Sequence, residues 1–414
     1  MNAAWLAASW AGIGVLAGLS PSRLRRPVAL IAPLILVALT LLTVQGGSRP
    51  DEFGGGGLAL PREAAGLLSA SAAALWLCLL LADRLDGREV LGIGTVGGAA
   101  VLLLSTGTPL LFGVAAVLAV AALCLRWITV APGRASLAAA RVAGTGAAAL
   151  IAVSLLLPAS PNGQPGIVGG LGLVGGLLVV GVLGLAGVAP LGGWAAGALD
   201  DLPVPEVATW LLLLAPAVLL SAFSMPGALP LLARLAFQHT ILACGLISAI
   251  WSGLMSIRAG PATRYGRVAI GDLGLVAAGV GTGATTAVAG GLVLILTHLV
   301  AAPILLQPPR LGLGSPRRLV WLAICGLPPS PAFWGRFLIL QACVAFSFSV
   351  AAPCLVAGGL VTVTAVLTAA QGEAGEGARA AHHRVVAAWV IAAVALAVGL
   401  LPMGALHLVF GSGA

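Results

Sequence analysis

Residues Gly326 to Phe337 read Gly-Leu-Pro-Pro-Ser-Pro-Ala-Phe-Trp-Gly-Arg-Phe, inside an apolar run from about Leu319 to Phe346. Pro328, Pro329 and Pro331 each lack a backbone N–H and push the preceding residue away from helical angles, so a helix is predicted to break here. A helix broken at membrane depth is tolerated only where its freed carbonyls face protein or a wet cavity. Arg336, just beyond the break, stays charged at any accessible pH. A charge at that depth is paired and functional by default, since leaving it in hydrocarbon is expensive. The stretch therefore predicts a discontinuous membrane helix that carries a cation.

Composition extends this reading to the whole chain. Of 414 residues, 60% are hydrophobic and 8% charged, with a mean hydropathy of +1.12. That balance excludes a soluble globular domain and implies an all-α polytopic membrane protein embedded in the lipid bilayer. The formal charge of +8 would suggest a nucleic-acid partner in a soluble protein. Here the arginines stand singly in short segments between apolar runs, which reads as topology, and no nucleic acid is expected. All 20 basic residues are arginine, and lysine is absent. Cys78, Cys124, Cys244, Cys325, Cys343 and Cys354 lie in apolar segments without metal spacing and read as packing residues rather than disulfides.

Windows long enough to span hydrocarbon number about fourteen: 3–19, 27–45, 65–82, 90–107, 109–125, 136–158, 166–188, 204–224, 236–257, 268–287, 289–307, the broken 319–346, 350–370 and 385–409. The first lacks a basic n-region and a clear cleavage site and reads as a retained helix. With the N-terminus outside, sixteen arginines fall on the inner side and three on the outer, leaving Arg336 within the membrane. Such asymmetry obeys the positive-inside rule and puts both termini on the outer side. Gly54–Gly57, the 411–414 tail and the 372–383 segment read as loops or ends. His382 and His383 belong to that last, solvated segment, so no metal site is expected.

Few polar residues remain at membrane depth. They are Glu206 at the start of the eighth window, Asp272 about one turn into the tenth, His298 near the middle of the eleventh, and Arg336. An acid, an imidazole and a guanidinium on three successive helices can pass protons along bound water, because histidine titrates near neutrality. Each has a plainer reading. Asp272 is close in sequence to Arg264 and Arg267 and could form an ion pair at the inner surface. His298 follows Thr297 and could be a hydrogen-bonded packing residue. Glu206 suits the first turn of its helix, where the dipole favours an acid. Arg336 has a long apolar run behind it, which argues against snorkelling. Gly-rich runs such as 169–176 read as close-packing faces, not as a nucleotide site.

These residues resemble a known family: the antiporter-like, proton-translocating membrane subunits of respiratory complex I, of membrane-bound hydrogenases and of multisubunit cation/proton antiporters, nearest to the subunit N type. Ala189-Pro-Leu-Gly-Gly-Trp194 with Leu202-Pro-Val-Pro-Glu-Val-Ala208 is similar to the loop leading into the family's eighth helix. Trp251 through Arg264, then Ile270-Gly-Asp-Leu-Gly274, resembles a segment that ends Ser-His-x-Gly. Leu296-Thr-His-Leu-Val-Ala-Ala302 resembles Thr-His-Ala-x-x-Lys, and Gly326–Phe337 resembles Gly-x-Pro-Pro-x-x-Gly-Phe-x-Gly-Lys-Phe.

The resemblance implies three N-terminal helices (1–88), two inverted five-helix repeats (89–224 and 236–370), each with a broken helix, and a C-terminal helix (385–409). It also implies a bacterial or archaeal plasma membrane, and other membrane subunits of a multisubunit redox complex as partners. The chain itself would have no active site and no cofactor, because it offers no ligands for redox centres. Its departures from the family are equally specific. The fifth window holds no acid, the seventh-helix lysine position falls near Leu185, and the eleventh-helix lysine position falls near Ala302. Only Arg336 keeps a base, and an arginine, unlike a lysine, does not release its proton. Two outcomes follow: proton conduction through the second repeat, or a degenerate subunit that serves packing. A self-sufficient secondary transporter, binding a small anion at Arg336 or exchanging cations for protons, is the alternative from another class.

Overall fold

The computed structural model describes residues 3–21, 25–45, 60–82, 87–105, 109–130, 133–156, 171–308, 311, 313–371, 382–402 and 404–406. Seventeen α-helices occur among these residues. The first six are α1 (Ala3–Leu19), α2 (Arg25–Gln45), α3 (Arg62–Leu81), α4 (Gly87–Ser105), α5 (Pro109–Val130) and α6 (Arg134–Leu156). The next group comprises α7 (Leu171–Ala186), α8 (Gly193–Asp201), α9 (Val204–Thr209) and α10 (Ala215–Ser224). Then follow α11 (Leu231–Arg258), α12 (Pro261–Thr282), α13 (Thr285–Leu305), α14 (Gly314–Ile324), α15 (Pro331–Phe346), α16 (Phe348–Gln371) and α17 (His382–Leu400). The chain is an all-helical, multi-pass membrane protein. Among the described residues, six spans are long and apolar enough to cross a bilayer by length and composition, and shorter apolar helices accompany them. The expected loops at 54–57 and 411–414, and residues 372–381 of the one expected at 372–383, lie outside the described residues; His382 and His383, expected in that loop, instead open α17.

Windows and helices correspond in order, with instructive differences. The tenth helix was expected from residue 268, but α12 begins at Pro261. Pro at the first helical position, where its missing N–H is no loss, explains the earlier start. The division between the tenth and eleventh windows was expected near 288. It falls instead at Gly283, whose φ of +67° closes α12 in the left-handed conformation.

Two interruptions shape the interior. Between α14 and α15 the chain turns through Cys325–Ser330, with Gly326 at φ +77°. Pro328 and Pro329 lie in the break, whereas Pro331 opens the next helix. Ser330 caps that helix, its Oγ accepting from the Phe333 N–H at 3.3 Å. The second interruption lies between α7 and α8, where Gly187 takes φ +68°. A third irregularity was not foreseen. Pro216 can neither donate a backbone bond nor fit against the carbonyl of residue 212. The turn before it widens into a π-helix at Trp210–Leu214, and the Ala215 N–H reaches Trp210 O. Such bulges are frequently placed at functional sites.

Helices approach closely where glycine removes a side chain. A Cβ on Gly14 would lie 2.8 Å from Gly94 Cα, which brings α1 onto α4. One on Gly274 would lie 2.8 Å from Gly245 O, which brings α12 onto α11. In lipid, association rests on such van der Waals contact because apolar burial gives no net drive. The most enclosed span is α13, with 83% of its apolar window inside the fold, against 33% for α16 and for α17. The histidine on α13 is therefore central, while α16 and α17 present apolar residues such as Leu355, Val356, Trp389 and Val390 outward.

Candidate functional site

The early start of α12 moves Asp272 from the expected position about one turn into its helix to near the middle of a 22-residue helix, where it is fully buried. Its partners come from two other helices, α15 and α13. Arg336, in the second turn of α15, donates from Nε to Oδ1 at 2.9 Å and from Nη2 to Oδ2 at 2.9 Å. His298 on α13 places Nε2 2.9 Å from Oδ2. The inner-surface pair with Arg264 or Arg267 is thus not formed. Arg264 instead caps the end of α11 by donating to Ala259 O, and reaches Thr368 Oγ1 at 3.2 Å.

A guanidinium has five N–H donors, and five acceptors surround that of Arg336. Besides the two carboxylate oxygens, Nη1 donates to Cys325 O at 3.1 Å and to Thr362 Oγ1 at 3.2 Å, and Nη2 donates to Ile324 O at 3.0 Å. The break thus has a partner for the carbonyls it frees, which is the condition for an interrupted helix at membrane depth. Gly326 is needed twice. Its left-handed φ favours glycine, and a Cβ there would run into Arg336 Nη1 and Thr362 Oγ1.

On the far side of the imidazole, the Tyr265 hydroxyl lies 3.2 Å from His298 Nδ1. The result is one buried line, Tyr265–His298–Asp272–Arg336, drawn from α12, α13 and α15. Beside it is a cavity lined by Asp272, His298, Leu211, Leu212, Pro216 and Leu294, among others, with about 10 Å³ open to the centre of a water molecule. That is room for about one water. The π-helical turn supplies one wall of it.

Glu206 stands apart from this group. It occupies the first turn of α9 as expected and is buried against Arg126 of α5, Nε to Oε1 at 2.7 Å. The first interruption is sealed without a charge. Trp194 Nε1 donates to Gly184 O at 3.2 Å and Trp210 Nε1 to Leu185 O at 3.1 Å. Trp127 stacks on the same group, with ring centroids 5.4 Å from Trp194, which lies 5.1 Å from Trp210. Leu185 and Ala302, the positions where the resemblance implies lysine in the family, are buried and apolar.

Sequence reasoning missed three members of these networks. Tyr265 lies seven residues, two helical turns, before Asp272 and so shares its face; correct placement of the helix start at Gly260-Pro261 would have exposed that spacing. Arg126 was counted only among the sixteen inner-side arginines of loops and helix ends. Arg317, counted in the same inner-side set, is buried, and its guanidinium caps the end of α13, donating to Ile304 O, Leu305 O and Gln307 O at 2.6–3.2 Å. All six cysteines are free, and five of them are buried. No cluster of three or more His, Cys, Asp or Glu side chains occurs among the described residues.

No family profile and no curated protein matches the chain. Solved structures do. A chain of respiratory complex I from Thermus thermophilus, determined with bound Aureothin, is 21% identical, with TM-score 0.78 and 100% of both chains covered. A chain of the membrane-bound sulfane sulfur reductase, an archaeal respiratory membrane complex, is 16% identical with TM-score 0.80, covering 99% of this chain and 96% of that one. A chain of the Mrp complex from Dietzia sp. is 14% identical with TM-score 0.83. This protein covers 51% of that chain and so spans about half its length. Likeness at these identities concerns architecture alone: the protein shares the fold of these chains.

Proposed function

We propose that the protein is an antiporter-like membrane-arm subunit of a multisubunit, complex I-like or hydrogenase-like redox-driven proton pump, nearest in type to subunit N. Its proton-active element is confined to the second repeat, residues 236–370. The first repeat, 89–224, is structural. The observation that carries this reading is the placement of His298, hydrogen-bonded through both ring nitrogens and flanked by a carboxylate that a non-titrating guanidinium holds in place. Histidine is the side chain that changes charge near neutral pH, so it is the one member of the line suited to cycling.

The two repeats are supported by the kinship of the two breaks. Each has a positive-φ glycine, Gly187 or Gly326, followed by side chains that bond the last carbonyls of the preceding helix. In the second break those side chains include a cation; in the first they are neutral indoles. This contrast favours a first repeat that no longer relays protons. The arginine asymmetry supports a plasma-membrane orientation with both termini outside. Redox centres and their cofactors belong, on this reading, to partner subunits.

A self-sufficient small-anion carrier using Arg336 is disfavoured, because all five guanidinium donors are engaged. The test of assembly is purification of the tagged full-length protein from its native membrane in mild detergent, with identification of what accompanies it. Iron–sulfur redox subunits among the companions support the proposal and name the assembly. A stable lone chain overturns it and promotes an independent transporter.

A further inference from the structure

We propose that Tyr265 is the positioning residue of the His298 site. Its hydroxyl fixes one tautomer of the neutral imidazole and remains a partner when the ring carries a second proton. This deepens the proton role assigned to His298 and rests on it.

The argument begins at the other edge of the ring. His298 Nε2 faces Asp272 Oδ2 at 2.9 Å. A carboxylate oxygen offers only lone pairs, so the hydrogen of the neutral ring resides on Nε2. Nδ1 is then a bare lone pair, and the Tyr265 O–H, 3.2 Å away, must donate to it. The same hydroxyl lies 3.5 Å from the His298 carbonyl oxygen. When one proton from solvent adds at Nδ1, no other bond breaks and the polarity of this contact reverses. Nδ1–H now donates to the phenolic oxygen, and the hydroxyl hydrogen turns to the carbonyl.

A hydroxyl both donates and accepts; a lysine or a carboxylate in that place would satisfy one state and oppose the other. The phenol ring is buried and held edge-on by Trp321 of α14, with centroids 6.3 Å apart at 81°. Rotation of the O–H is therefore the freedom that remains. The charged and titratable groups that face this pair are Asp272 of α12, Arg336 of α15 and, near Tyr265, Cys78 of α3. The π-turn and α10 contribute Leu211, Leu212 and Pro216. Arg317 of α14 is engaged beyond His298, at Ile304–Gln307.

Tyr265 is the only tyrosine in the chain, which makes the test selective. The full-length chain, free of companion subunits, is labelled with ¹⁵N-histidine in lipid bilayers after His239, His382, His383 and His407 are changed to Gln. With the ring neutral, the expected spectrum has a protonated Nε2 and an Nδ1 signal displaced as a hydrogen-bonded lone pair. Tyr265→Phe is expected to move Nδ1 to the position of an unbonded lone pair and to leave Nε2 unchanged. A proton on Nδ1 of the neutral wild-type ring, or an Nδ1 signal that Tyr265→Phe does not move, overturns the proposal.

Should the Phe variant fold poorly, replacement of all tyrosine by 3-fluorotyrosine alters this hydroxyl alone and makes it the stronger donor. It should displace Nδ1 further; no displacement overturns the proposal. On acidification, the single tyrosine hydroxyl band in the infrared should shift as the hydroxyl turns to the carbonyl, and an unshifted band contradicts the second half of the proposal. These readings are independent of assembly: a chain that purifies alone defeats the functional reading without touching these spectra.

Discussion

Arg336 and Asp272 face each other through two bonds of 2.9 Å, Nε to Oδ1 and Nη2 to Oδ2, beside a break in one helix and near the middle of another. Each neutralises a charge that its surroundings could not tolerate alone. Asp272→Ala and Arg336→Ala should each destabilise the solubilised protein by about 3–5 kcal/mol, because each leaves an uncompensated buried charge. The double variant should lose clearly less than the sum. Unfolding measured across the four-protein cycle checks the coupling, and simple additivity would argue against the pair.

Gly326 is tied to the same guanidinium. Gly326→Ala combines a left-handed φ, about 1–2 kcal/mol for an L-residue, with displacement of the Arg336 Nη1 group. It should be among the most harmful single-methyl additions in the chain. Gly359→Ala is the matched control, since a Cβ there meets nothing within 4 Å. Comparing the thermal midpoints of the two variants decides the point, and equal midpoints would remove the steric argument.

At the first break, the indoles do what the cation does at the second. Trp210→Phe keeps most of the ring volume but leaves Leu185 O without the donor it has at 3.1 Å. A loss of about 1–3 kcal/mol is expected for a buried carbonyl left unpaired. Stability equal to wild type would mean that the first break does not depend on this bond.

Arg126 and Glu206 make a second buried carboxylate–guanidinium pair, at 2.7 Å. Arg126 is somewhat more accessible than its partner, so Arg126→Gln should destabilise by about 2–3 kcal/mol, below the range for a fully enclosed pair. Adding Glu206→Gln to the variant should recover part of that loss, because the two amides can bond without net charge. Failure of the second change to recover stability, in the same unfolding assay, would show that the acid has another role.

Much of this architecture was legible in the sequence. Apolar windows located the helices, the prolines of 328–331 located one break, and scarcity of charge singled out Glu206, Asp272, His298 and Arg336. What hydropathy could not supply was register. Arg264 and Arg267 lower the apolarity at the start of α12, so the window opened late, placed Asp272 only about one turn in and left open a surface pair with either arginine that does not form. The same error hid Tyr265, which joins the site only when counted two turns back along the correct helix. The pairing of Arg126 with Glu206 spans 80 residues and leaves no local mark. The first break has neither a proline cluster nor a charge: Gly187 makes it and distant indoles close it. The π-turn had one visible cause, Pro216, but a proline alone does not say whether a helix kinks, ends or widens.

The most direct measurement is redox-linked proton translocation by membrane vesicles carrying His298→Gln, with assembly checked by the set of subunits that co-purifies. Glutamine can still bond both Tyr265 and Asp272 but cannot change charge near neutral pH. Translocation is predicted to fall sharply in a normally assembled complex, while Glu206→Gln combined with Arg126→Gln, in the segment proposed as a structural first repeat, leaves it largely intact. Undiminished translocation with His298→Gln would contradict the account and make the protein a structural element of the membrane arm.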